Sequence, residues 1–346
     1  MKNALERLTL FAKSRLSHFA ARNAQQRRRE QRTTQAVERL VDQVNPRLRA
    51  ASGYRKRLSP VVERALEHAK ALAHRVPGPL RIDRRTWNED PVVNALFGRP
   101  DRMRWVLTSN EVRRYVKENP LGGDCFAVLA VMPAVRQQLG MELMGETLQR
   151  DVRQTAVSFA EHQVLLAAES EGEARDALAD GAFELLVSLA EQGITEQESR
   201  IVESEDRLRI LRLKRKVADS RSHGAALLLD DSAEQLQELH ALDTRIGEVE
   251  AELAEARKGL ESLDERLARL IERLEHPEAL LGLQEGSVRL DRMNIVREGD
   301  DSSAELSFTR VLRGEKPMRV VFLIHFPRSE LLDEEERLRE VERHLA

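Results

Sequence analysis

Cysteine is almost absent from this chain: Cys125 is the only one in 346 residues. One thiol cannot close an internal disulfide or build a cysteine-based zinc site, and it fits a reducing compartment. Long apolar runs are missing as well, none approaching the ~20 residues that span a bilayer. The opening MKNALERLTLFAKSRL is interrupted by charges and shows no apolar core followed by a small-residue cleavage site. It does not read as a secretory signal. The expectation is a cytoplasmic protein, with the basic N-terminal helix leaving room for a place at the periphery of a membrane.

The common signatures of chemistry are lacking too. There is no GxxxxGK[ST] phosphate loop, no HExxH and no GxSxG. LGGDC has two glycines without the spacing or context of a dinucleotide fingerprint. The nine histidines never fall at i, i+4, so no helix face carries a metal-binding pair. The sequence therefore predicts no cofactor, no metal and no catalytic residue, and the balance leans away from an enzyme. His162, beside Glu161, and His325, in an otherwise apolar strand beside Phe326, are isolated candidates for a general base. Both read more simply as strand histidines hydrogen-bonded to neighbours. Cys125, at the start of an apolar run, reads as a small buried hydrophobe rather than a nucleophile. Glu335 and Glu336 read as solvated helix surface.

Aromatics make up only 4% of the chain, and their placement maps it. None lies between Phe183 and Phe308, and no proline lies between Pro133 and Pro277. A long central stretch thus lacks both large core-filling side chains and helix breakers. Globular material is expected from the two flanks, meeting in one base.

What is present is mostly helical pattern. Leu5, Leu8, Phe11, Leu16 and Phe19 recur at helical spacing in residues 1–20. Val37, Leu40, Val41 and Val44 form a stripe ended by Pro46, and Ser59–Pro60 and Asp90–Pro91 read as cap and first-turn pairs. Asn110 is expected to cap EVRRYVKEN, and Trp87, Phe97, Trp105 and Tyr115 suggest a small helical core. Beyond LGGD the period changes to two. FAVLAVM (126–132), the alternation at Val135, Leu139, Met141 and Leu143, and Thr155–Phe159 suggest three strands. Three more are expected around Val288–Leu290, Ala304–Phe308 and Val320–Phe326, with a final amphipathic helix after them.

The centre carries the clearest pattern. Leu239, Ile246, Leu253, Leu260, Leu267 and Leu274 are spaced by seven, with Leu242, Val249, Ala256, Leu263 and Leu270 at the second seam position. Thr195 with Glu198 reads as a capping box opening a partner helix that holds Ile201, Leu208 and Leu211. A turn near Ala225 would set Leu208 opposite Leu242 and Ile201 opposite Val249. It would also bring Arg212, Lys214, Arg215 and Lys216 towards Asp230, Asp231, Glu234 and Glu238. The rival arrangement is a parallel dimer through the second helix alone. The expected fold is therefore mostly α with a smaller β component (α+β), a long antiparallel coiled-coil hairpin projecting from a mixed α/β base. Its parts are a basic amphipathic helix and linker (1–33), a small helical region (34–120), the first half of the base (121–193), the hairpin (194–276) and the second half (277–346).

Net charge is only -3, but residues 1–60 hold +11 and the remainder -14. Residues 1–32 alone carry +7. Leu5, Leu8, Phe11 and Phe19 with Arg27, Arg28 and Arg29 form a candidate surface for an anionic membrane, or through the arginines for nucleic acid. Leu227, Leu228 and Leu229 lie where a polar turn would be expected and are candidates for a protein contact. The best-supported expectation is a non-enzymatic scaffold or adaptor in a larger cytoplasmic assembly, its partner another protein or a second copy of the chain. A nucleic-acid-associated protein is the second, and an enzyme of unfamiliar type the third.

Overall fold

The computed structural model describes residues 26–144, 147–225, 232–260, 262–291, 293–297 and 304–345. The fold is mixed α+β, mostly helical, with a largely antiparallel sheet. The chain divides into two compact units, residues 1–65 with 185–276 and residues 66–184 with 277–346.

The first unit is helical. Helix α1 (26–44) buries Ala36, Val37, Leu40 and Val41 on one face. It ends before Pro46, where Asn45 caps a 3-10 turn by accepting from the Arg47 N–H. Helix α2 (Tyr54–Arg75) begins before the expected Ser59–Pro60 start, so Pro60 lies inside it. Ser59 donates back to the Arg55 carbonyl rather than capping. The burial of Leu58, Val61 and Val62 on the same helix offsets the hydrogen bond that proline cannot make.

Helix α7 (Glu171–Ala225) also departs from expectation, running unbroken through Thr195. The Thr195 hydroxyl donates to the Glu191 carbonyl, so it is a mid-helix residue and not a cap. The heptad-bearing stretch is instead split into α8 (Ser232–Arg257) and α9 (Leu263–Glu275). Gly259 takes a left-handed φ of 79° just beyond α8, and Ser262 accepts from the Glu265 N–H to open α9. A seam repeating every seven residues does not reveal this break, because Leu260 is buried on one side of it and Leu267 on the other. α9 buries Leu267, Leu270 and Leu274. Arg57 and Arg64 of α2 reach it, bonding the Asp264 carboxylate and the Glu275 carbonyl.

The second unit is built on a sheet of order β3-β2-β6-β5-β4, with the short β1 (Leu80–Arg81) parallel to β6. β2 (Cys125–Met144) and β3 (Thr147–Ala168) precede the central helices in sequence. β4 (Leu281–Leu290), β5 (Ala304–Arg313) and β6 (Lys316–Phe326) follow them. Both flanks therefore share one sheet, joined where Cys125 pairs with Phe326 and Val131 with Val320. The three strands expected at 126–159 are two long ones. β2 runs straight through Pro133, which is tolerated because pairing to β6 stops at Val131 and leaves that edge open. β3 absorbs the register shifts, with Asp151, Glu161 and Leu166 at positive φ.

Short helices cover one sheet face: α3 (Arg84–Glu89), α4 (Pro91–Phe97), α5 (Pro100–Leu107) and α6 (Asn110–Glu118). Asp90 caps α4 with Pro91 in its first turn, as the sequence suggested, whereas α6 is capped by Ser109 and not Asn110. Val93, Leu96, Phe97, Met103, Leu107 and Val112 pack with Cys125, Leu129, Phe322 and Phe326. Trp87 and Tyr115 pack at the margin of this core, while Trp105 meets the Arg337 guanidinium. The opposite face holds Val128, Ala130, Val321 and Leu323 with Val76 and Ala174. Helices α10 (Pro277–Leu280) and α11 (Glu334–Leu345) complete the unit. Arg104, largely buried, ties α5 to the C-terminal segment through the Glu330 and Leu331 carbonyls and a two-pronged contact with Glu336. Among the described residues, no helix is long and apolar enough to cross a membrane.

Candidate interaction surface

The sequence places two apolar directions on α7. Ile201, Leu208 and Leu211 lie on one side and pack with Leu242, Ile246, Val249 and Leu253 of α8. Val202, Ile210, Leu213 and Val217 recur on the other, about 180° away at ~100° per residue. They remain 52–58% exposed. Cationic side chains border this outer stripe. From Arg207 to Lys216 there are six basic residues and no acidic one.

Ion pairs fix how α7 and α8 lie together. Glu205 pairs with Arg257, Arg207 with Glu252, Arg212 with Glu250 and Arg215 with Asp243. Partner numbers fall as α7 numbers rise, so the helices run antiparallel along this length. The midpoints of the pairs lie near position 230, not near Ala225. Leu208 is thus set by Arg207 near Glu252 and Leu253 rather than opposite Leu242, and the α7 cations meet acids farther along α8 than expected. A heptad seam accepts several registers one repeat apart, and the charged flanks select among them.

A cleft of about 640 Å³ opens where α7, α8 and α9 approach. Its lining is charged, with Glu196, Arg200, Glu203, Arg207, Arg269 and Arg273 among the residues present. Gly193 admits the Arg273 guanidinium, which sits 2.6 Å from where a β-carbon would stand. Gln197 donates to the Ala256 and Lys258 carbonyls at the end of α8. Arginines and glutamates alternate here around Ser204, with no buried acid–base pair among the described residues.

The sheet separates Cys125 from His325. Cys125 is fully buried, and burial pushes its thiol pKa up, only partly opposed by nearby Arg328. His325 lies on the other face, stacked on Phe126 with its Nε2 2.8 Å from Asp124 Oδ2. Thiol and imidazole thus cannot act together. His162 stacks on Phe97 and its Nε2 donates to the Leu96 carbonyl at 2.7 Å. Burial lowers its pKa, with that hydrogen bond partly offsetting the effect. Its Nδ1 is buried with no partner. Glu336, expected to be bare helix surface, is held below the usual carboxylate range by the Arg104 guanidinium. Among the described residues no cluster of His, Cys, Asp or Glu could hold a metal ion.

Arg27, Arg28 and Arg29 are exposed on α1. Leu5, Leu8, Phe11 and Phe19 lie outside the described residues, as do Leu227, Leu228 and Leu229. The outer stripe of α7 was not singled out in the sequence, where the seam-forming leucines dominate. Its signal was legible in principle, as apolar residues at 210, 213 and 217 out of phase with 201, 208 and 211. No protein family, curated protein or solved structure matches this chain.

Proposed function

We propose that this is a non-enzymatic scaffold or adaptor acting in a cytoplasmic assembly, with α7 and α8 forming an antiparallel coiled-coil hairpin as its assembly element. The observation that carries this reading is the two-sided α7. One apolar edge is satisfied by α8, while the other is left open between cationic flanks. An exposed apolar row on a rigid helix costs solubility unless another surface covers it. The scattered positions of Cys125, His162 and His325 favour this reading over an enzyme.

Affinity capture with the intact chain and with Leu213→Asp tests it. A scaffold retains protein partners at high salt and loses them in the variant. A second reading, a nucleic-acid-associated protein, draws on the exposed Arg27, Arg28 and Arg29. Capture of nucleic acid alone, falling steeply with salt and indifferent to Leu213→Asp, would favour it and overturn the first.

A further inference from the structure

We propose that the outer stripe of α7 is a self-association surface, covered by the outer face of α8 from a second copy of the chain. This rests on the reading of α7 and α8 as a paired hairpin and names its partner. The stripe of Val202, Ile210, Leu213 and Val217 needs an apolar or small-residue surface with acidic borders. α8 carries one. His240, Thr244, Gly247, Ala251 and Ala254 recur at spacings of four and three on the side away from Ile246, Val249 and Leu253, and all are exposed. A β-carbon placed on Gly247 would meet nothing within 4 Å, so this face is open to close approach by ridge-forming side chains.

Charge supplies the second argument. α8 has seven acidic residues and two arginines. Asp243, Glu250 and Glu252 are occupied by α7 of the same chain. Glu248, which borders this face beside Thr244 and Ala251, makes no ion pair among the described residues. Neither do Lys214 and Lys216, which border the α7 stripe. Glu248 and the two lysines have opposite sign and border the two outer faces, so a second copy brings them together. Pairing α7 with another α7 would oppose cation to cation, at a cost in like-charge repulsion. A lipid surface fits less well, because Asp206 interrupts the stripe between Val202 and Ile210 and no aromatic residue accompanies it. The contact joins two unlike faces and is heterologous.

Sedimentation velocity of the full chain, over a range of concentration at low and high salt, tests this. The expected result is a reversible rise in mass above the 39.5 kDa monomer, weaker at high salt. Lys214→Glu with Lys216→Glu should weaken association about tenfold, from several exposed ion pairs reversed at once. Adding Glu248→Lys should restore part of it. All these positions are exposed, so helicity by circular dichroism should not change. A fall in helicity would instead indict the hairpin reading. A monomer at every concentration overturns the proposal, as does association that ignores all three substitutions. Lysine-dependent pelleting with phosphatidylserine vesicles, without self-association, also overturns it.

Discussion

Replacing Leu253 with alanine isolates the contribution of the α7–α8 interface. Leu253 is buried against Leu208, Leu211 and Val249. The substitution removes about three methylene equivalents at ~0.8 kcal/mol each, or ~2.4 kcal/mol of transfer free energy. A closed core would add a cavity penalty of up to another ~2 kcal/mol. Here the penalty should be small, because Leu253 borders an open groove shared with Leu208, Arg212 and Leu213, which water can enter. The expected cost is therefore about 2–3 kcal/mol, confined to this helix pair. Amide hydrogen exchange reads it locally. Protected amides of α7 and α8 should exchange about 50-fold faster at ~1.4 kcal/mol per decade, while the sheet is unchanged. Leu236→Ala is the control, since that side chain is 66% exposed and should cost less than ~0.5 kcal/mol. If Leu253→Ala and Leu236→Ala behave alike, the seam does not hold the helices together and the reasoning fails.

His162 should make the sheet-bearing unit acid-sensitive. Burial keeps its imidazole neutral when folded, whereas the unfolded chain takes up a proton near pH 6.5. The unfolded state thus binds more protons as pH falls below about 6.5. Stability drops from there until the folded imidazole itself protonates. His162→Gln should flatten that part of a denaturant-midpoint profile, and an unchanged slope would place the effect elsewhere. Glycines give a third prediction with opposite signs at two sites. Gly78 has a φ of 120°, and a β-carbon there would lie 2.3 Å from the Leu323 carbonyl oxygen. Gly78→Ala should cost at least about 2 kcal/mol in a denaturant melt. Gly181, mid-helix in α7 with open space around it, should gain up to about 1 kcal/mol as alanine.

Periodicity was legible even in β6, where both faces are buried and Val321 and Leu323 lie opposite Val320 and Phe322. The alternation at Val320, Phe322, Ile324 and Phe326 reports directly the face that β6 turns to the helical cover, and Asp90–Pro91 reports its own local geometry. Boundaries set by competition were harder. Thr195 and Glu198 have a capping pattern, but α7 continues through them because the turns on either side pack, with Ile194 and Leu208 buried. Ser59–Pro60 failed similarly, since burial from Leu58 to Ala65 extends α2 back past the proline. The KGLES stretch did hold the signal for the α8–α9 break, a glycine followed by a serine three residues before Glu265. It was masked by leucines that kept the heptad going. The candidate surface was half legible: the leucine seam stands out, whereas the outer stripe shows only once the seam is assigned to a partner. Cys125 reads in the sequence as a small buried hydrophobe and His162 as a hydrogen-bonded strand histidine. The first lies fully buried, and the second is bonded to the Leu96 carbonyl, a partner that local sequence does not name.

The antiparallel pairing of α7 with α8 inside one chain is the central claim, and a spin-label distance tests it most directly. Nitroxides are placed at Arg212 and Glu250, which face each other as an exposed ion pair, in a Cys125→Ser background. Labelled protein is measured alone and after dilution with excess unlabelled chain. The account predicts one short distance that survives dilution, and a longer one when the second label is moved from Glu250 to Glu238. A short distance that vanishes on dilution, or one shorter to Glu238 than to Glu250, would contradict it.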